Sequence, residues 1–122
     1  MTLLTDRQRE RMLANGCARE ADLLTGDETT DFVPVVKLFC PWGAATWLLS
    51  ELDPENPDIA FGLCDLGVGC PELGNVSLSE LESIRSPGGL GVERDLHFYA
   101  DKTLFAYADE AKRLGHINVR GR

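Results

Sequence analysis

The sequence predicts an α+β domain: a small, mainly antiparallel sheet of about four strands with helices packed on one face and an N-terminal helical arm. Two β-branched and aromatic runs, Val35–Cys40 and Ile59–Cys64, read as strands because such side chains suit a pleated, half-buried surface. The acidic, proline-rich stretch Asp53-Pro54-Glu55-Asn56-Pro57-Asp58 turns the chain between residues 44–52 and Ile59, which predicts an antiparallel hairpin. Apolar residues at helical spacing with capping residues at their starts mark helices near both termini. Residues 1–31 form the arm, 32–115 a single domain and 116–122 a basic tail.

Thr5-Asp6-Arg7-Gln8 fits a capping box, with a threonine hydroxyl for the third helical amide and a glutamine reaching back. Asn15-Gly16 offers a left-handed stop, so the spacing predicts a second short helix from Ala18 to Leu24. Pro34 and Pro41 bound the first strand, and Trp42-Gly43 turns it into residues 44–52, read as strand because Thr46-Trp47 favours that state. Val76–Leu78 adds a short strand. Ser79-Glu80-Leu81-Glu82 then opens a helix that Ser86-Pro87-Gly88-Gly89 ends. Val92–Phe98 alternates, placing Glu93, Asp95 and His97 on one polar face of a half-buried strand. Asp101 caps a last helix running to Leu114, which Gly115 closes.

Charge narrows the function classes. Twenty acids against twelve bases leave −8, and residues 35–110 alone carry −9, with Lys37, Arg85, Arg94 and Lys102 as their only bases. Such a body repels phosphate backbones, so nucleic acid is an unfavoured partner except through Lys112, Arg113, Arg120 and Arg122 in the basic C-terminal stretch. The first residues, Met-Thr-Leu-Leu-Thr-Asp-Arg-Gln, are too short an apolar run for a signal peptide. No apolar run approaches a membrane span of ~18 residues. The expected compartment is the cytoplasm, with Cys17, Cys40, Cys64 and Cys70 as free thiols.

The glycine-rich stretch FGLCDLGVGCPELG, residues 61–74, invites a phosphate or metal reading. Gly67-Val68-Gly69 is half of a dinucleotide fingerprint, but Glu72 takes the third glycine position and no base stands between Lys37 and Arg85. Cys64 and Cys70 are spaced too widely for a zinc knuckle, and no second Cys/His pair follows. The stretch is therefore a bend in which Gly67 and Gly69 take positive φ. No cofactor and no metal are assigned to it.

Chemistry has one candidate constellation. Glu93, Asp95 and His97 in a row, completed by Asp65 and Glu72, could hold a divalent ion or do acid–base work in a metal-assisted hydrolase or nuclease. A solvated strand face is the competing account of the same row. A thiol nucleophile at Cys40 lacks a nearby cation other than Lys37, and none of the serines has the strained-turn context of a triad.

The segments PWGAATWLLSELDP, FGLCDLGVGCPELG and GVERDLHF, read together over about residues 33–100, make the chain resemble the bacterial DUF2958 family, a domain of unknown function. The resemblance implies genomic company, namely plasmids, phages and integrative elements, and hence a small accessory protein of mobile DNA. It implies no catalytic residue. A non-catalytic, protein-binding modulator is the expectation favoured over an enzyme. Asp53, Glu55, Asp58, Glu93 and Asp95 would contact a basic surface of a host or plasmid protein.

Overall fold

The computed structural model describes residues 3–119. In chain order the elements are α1 (Asp6–Leu24), β1 (Val36–Phe39), β2 (Thr46–Asp53), β3 (Asn56–Asp65), β4 (Glu72–Ser77), α2 (Leu78–Ser83), β5 (Glu93–Arg94) and α3 (Leu104–Leu114). The strands form one antiparallel sheet in the order β4-β3-β2-β1-β5. This is the expected α+β architecture, but two strands differ in length. The one expected at Val76–Leu78 starts earlier, at Glu72, inside the stretch read as a bend, and the one expected at Val92–Phe98 keeps only Glu93–Arg94.

Helices cover both faces of the sheet, not one. Val36, Leu38, Trp47, Leu49, Leu52 and Ala60 pack with Leu4 and Met12 from the N-terminal region and with Leu78 and Leu81 of α2. On the opposite face Leu48 and Leu63 pack with Leu104, Tyr107 and Ala111 of α3. β2 lies between these layers and is buried continuously from Trp47 to Leu52. That double burial explains why residues 44–52 read as a nearly unbroken apolar run without strand alternation.

α1 is one continuous helix, and the expected break at Asn15-Gly16 is absent. The Thr5–Gln8 capping box opens it, with both reciprocal bonds formed. Asn15 and Gly16 instead mark where α1 meets β2. β1 pairs β2 only as far as Leu49, so beyond that point the flank of β2 has no strand beside it. The Asn15 side-chain amide donates to the Ser50 carbonyl at 2.8 Å, satisfying a group that the missing strand would have paired. At Gly16 a β-carbon would overlap the Leu52 carbonyl oxygen. Glycine is here for backbone proximity, and its cost in helix propensity is offset by the docking it permits.

The caps are displaced from their expected residues. Ser77, not Ser79, caps α2, its hydroxyl accepting from the Glu80 amide at 3.2 Å. Ser79 instead turns its hydroxyl and amide to Asp58. Thr103, not Asp101, caps α3. The Asp31 carboxylate accepts from the Phe105 amide at 3.1 Å and the Phe32 carbonyl from that of Leu104 at 2.8 Å, so the chain before β1 satisfies the start of the last helix. Asp101 pairs with the Tyr107 hydroxyl at 3.0 Å.

Candidate functional site

The hairpin tip brings together what the sequence separates. β2 and β3 close at Asp53↔Asn56, leaving Pro54-Glu55 as the turn. The Asp53 carboxylate accepts from the Glu55 amide at 2.9 Å, a side-chain turn that orients both residues. Pro57 falls where the β2–β3 ladder is broken, between the Asn56 and Ala60 pairings, so its missing N–H removes no ladder bond there. α1 supplies the third acid. Glu20 lies one helical turn beyond Gly16, and the Gly16 contact therefore brings it to the tip. Carboxylate oxygens of Glu20, Asp53 and Glu55 lie within 4.8 Å of one another, and all three residues are exposed.

These acids rim a pocket of about 310 Å³ whose wall includes Arg19, Glu51, Leu52, Ile59, Phe61 and Asn75. Arg19 stands one turn after Asn15 on the same docking face and reaches Glu51, Nε to Oε2 at 2.6 Å. Its guanidinium lies 5.7 Å from the Phe32 ring centre and 5.5 Å from that of Phe61. Glu51 is only 5% exposed. Its Oε1, like Arg19 Nη2, is buried without a hydrogen-bond partner among the described residues. The pair neutralises itself, so the pocket takes its negative potential from the three rim carboxylates.

Of the expected contact residues, Asp53 and Glu55 belong to this cluster. Asp58 does not: its carboxylate is held by the Ser77 hydroxyl at 2.6 Å and by the Ser79 amide and hydroxyl at 2.9 Å. Those bonds keep its pKa below the ordinary carboxylate range, the Ser77 hydroxyl contributing most. Glu93 is exposed but pairs with Phe39, which pairs with Thr46 at the far end of β2. The eight residues of β2 put it on the order of 20 Å from the hairpin tip.

Asp95 departs from the expected polar face. The strand stops at Arg94, and Asp95 turns inward, buried, with Oδ2 3.2 Å from Lys37 Nζ and Oδ1 accepting from the His97 amide. A buried ammonium on β1 needs a carboxylate, and that demand overrides the two-residue periodicity. The row Glu93, Asp95, His97 consequently shares no face.

Nor do Asp65 and Glu72 complete it. Two strands stand between Asp65 on β3 and Glu93 on β5, about 14 Å at ordinary strand spacing, too far for one ion. Asp65 is buried as a clamp, Oδ1 accepting from the Gly67 amide at 2.8 Å and Oδ2 from the Ile117 amide at 2.9 Å. The bend after it has Gly67 and Gly69 at positive φ, as expected.

The thiols are all free. Burial raises the Cys40 pKa, and burial followed by the Glu72 charge pushes Cys64 up to about 11. Both shifts disfavour the nucleophilic thiolate. At the other terminus Lys112 and Arg113 occupy the last turn of α3, where cations favour the helix dipole. Arg120 and Arg122 lie outside the described residues.

Residues 3–118 match the family described as "Protein of unknown function (DUF2958)". The chain belongs to the DUF2958 family. No curated protein and no solved structure matches it. In this DUF2958 chain, Arg19, Glu20 and Glu51 join the site although no motif in the sequence marks them. The one local signal was a glycine inside a helical pattern, which marks close backbone approach as readily as a stop. Among the described residues no helix is long and apolar enough to cross a membrane.

Proposed function

We propose that this DUF2958 protein is a non-catalytic binding protein that receives a cationic side chain of a partner protein at the acidic hairpin tip. The observation that carries the reading is the convergence of Glu20, Asp53 and Glu55 over a pocket walled by a buried glutamate with an unpartnered oxygen. Three mutually repelling carboxylates gain most from an incoming ammonium or guanidinium, and the charge of −8 steers such partners by long-range attraction. Basic surfaces are common on nucleic-acid enzymes, the proteins a small cytosolic companion of mobile DNA would meet.

The test is calorimetric titration with an oligo-arginine peptide. Substituting E20Q, D53N and E55Q together is expected to weaken binding about tenfold, roughly 1.4 kcal/mol. Neutralising the exposed acids Asp6 and Glu10, which lie about 15 Å or more along α1 from Glu20, together with Glu93, is expected to weaken it far less. Equal losses in the two triple variants would leave only diffuse charge and overturn the site. Saturable Mn²⁺ binding that raises the melting temperature, and is lost in E20Q/D53N/E55Q, would overturn it in favour of a divalent ion.

A further inference from the structure

β4 is an edge strand built as if to be paired. It bonds only to β3, over six residues from Ile59↔Ser77 to Cys64↔Glu72, with no register shift. Its outward N–H and C=O groups have no backbone partner among the described residues. Exposed edges are ordinarily blunted by lysine, proline, a bulge or brevity. β4 has none of the first three, and Glu72 is its only charge. The opposite edge, β5, is blunted by its two-residue length.

Each face of β4 also borders a cleft. On the α3 side, a cleft of about 850 Å³ is lined by Leu63, Pro71, Leu73, Phe105 and Ala108. On the α2 side, a cleft of about 630 Å³ is lined by Trp47, Ile59, Val76, Leu81 and Ile84. Leu73 pairs with Leu63 and Val76 with Ala60, so each residue belongs to a different face of the sheet and borders that face's cleft. An added strand would send successive side chains to alternate faces, hence alternately into the two clefts.

We infer that β4 is a strand-addition site for an extended segment of another protein carrying apolar residues on both faces and lysine or arginine beside them. Main-chain bonds to β4 supply affinity, and the two clefts select side chains. The choice of occupant follows from charge. Glu72 and Asp109 line the first cleft with a single base, Lys112, and Glu80 lines the second. A second copy would bring another net charge of −8 against this edge, which long-range repulsion opposes. A basic foreign strand would find them complementary.

The strand-addition site rests on the unpaired edge of β4 and not on the hairpin-tip acids; Ile59 and Asn75 border both places, and the test separates the two. Short random peptides displayed on phage are selected on the full chain. Enriched sequences are expected to alternate apolar residues and to include Lys or Arg. A synthetic enriched peptide should slow amide hydrogen exchange of residues 72–77 and leave 53–58 unchanged. L73K, which places a gatekeeper cation at the edge, should weaken that peptide at least tenfold, while E20Q/D53N/E55Q should not. Sedimentation is expected to give a monomer. A dimer dissolved by L73K, peptides that protect 53–58 instead, or no enrichment would each overturn the inference.

Discussion

Gly16 is the residue on which the relation of α1 to the sheet turns. Adding a methyl group there pushes on the Leu52 carbonyl, a backbone atom inside the sheet that has no rotamer in which to escape. Gly16→Ala, stabilising in an ordinary exposed helix, is therefore expected to destabilise by about 3 kcal/mol, read from the urea midpoint. An unchanged or raised midpoint would mean that α1 stands further from β2 than this contact requires. Cys64 supplies a pH dependence. Its folded pKa of about 11 lies above the ordinary 9.0, so the fold prefers the protonated thiol. The resulting stability is complete below pH 9.0 and fades as pH rises through 11. A plot of urea midpoint against pH should fall across that window, and Cys64→Ala should flatten its share of the fall.

At the scale of elements, Asp65 joins the bend after β3 to the chain after α3. Asp65→Asn keeps the shape, but its NH₂ cannot accept, so one of the amides of Gly67 and Ile117 loses its partner. A loss of about 2 kcal/mol is expected, with faster hydrogen exchange at whichever amide is orphaned. The same residue shows what the sequence could and could not disclose. The strands, the hairpin and the glycine bend were legible because β-branched runs and turn residues act within a few positions of one another. The roles of Asp65, Asp95 and Arg19 were not, because each answers a partner 52, 58 or 32 positions away. Asp95 also broke its own local pattern to reach Lys37, and Ser79 gave up a cap for which it was suited to bond Asp58. The hairpin tip was half legible. Asp53 and Glu55 announce themselves in an acidic turn, whereas Glu20 joins them only through the helix docking that Gly16 allows.

For the whole molecule, the surplus of acids is a field as well as a set of contacts. Self-repulsion among charges summing to −8 works against compactness, and added salt shortens its reach to about 8 Å at physiological strength. Raising NaCl at pH 7 is therefore expected to raise the melting temperature by a few degrees, on the order of 1 kcal/mol, while weakening any complex with oligo-arginine. Opposite trends in stability and binding would identify one electrostatic origin for both. A melting temperature indifferent to salt would show that the carboxylates are already compensated locally.

The way α1 finishes the flank of β2 has a consequence for shortened chains. Asn15 and Gly16 stopper a gap in the middle of the sheet, where β1 has ended and β2 has not. A chain lacking the helix would retain most of its strands but carry raw main-chain hydrogen-bonding groups beside the apolar residues Leu49 and Leu52. Such a surface recruits its own kind, so the shortened protein should seed fibrils that bind thioflavin, and the intact one should not.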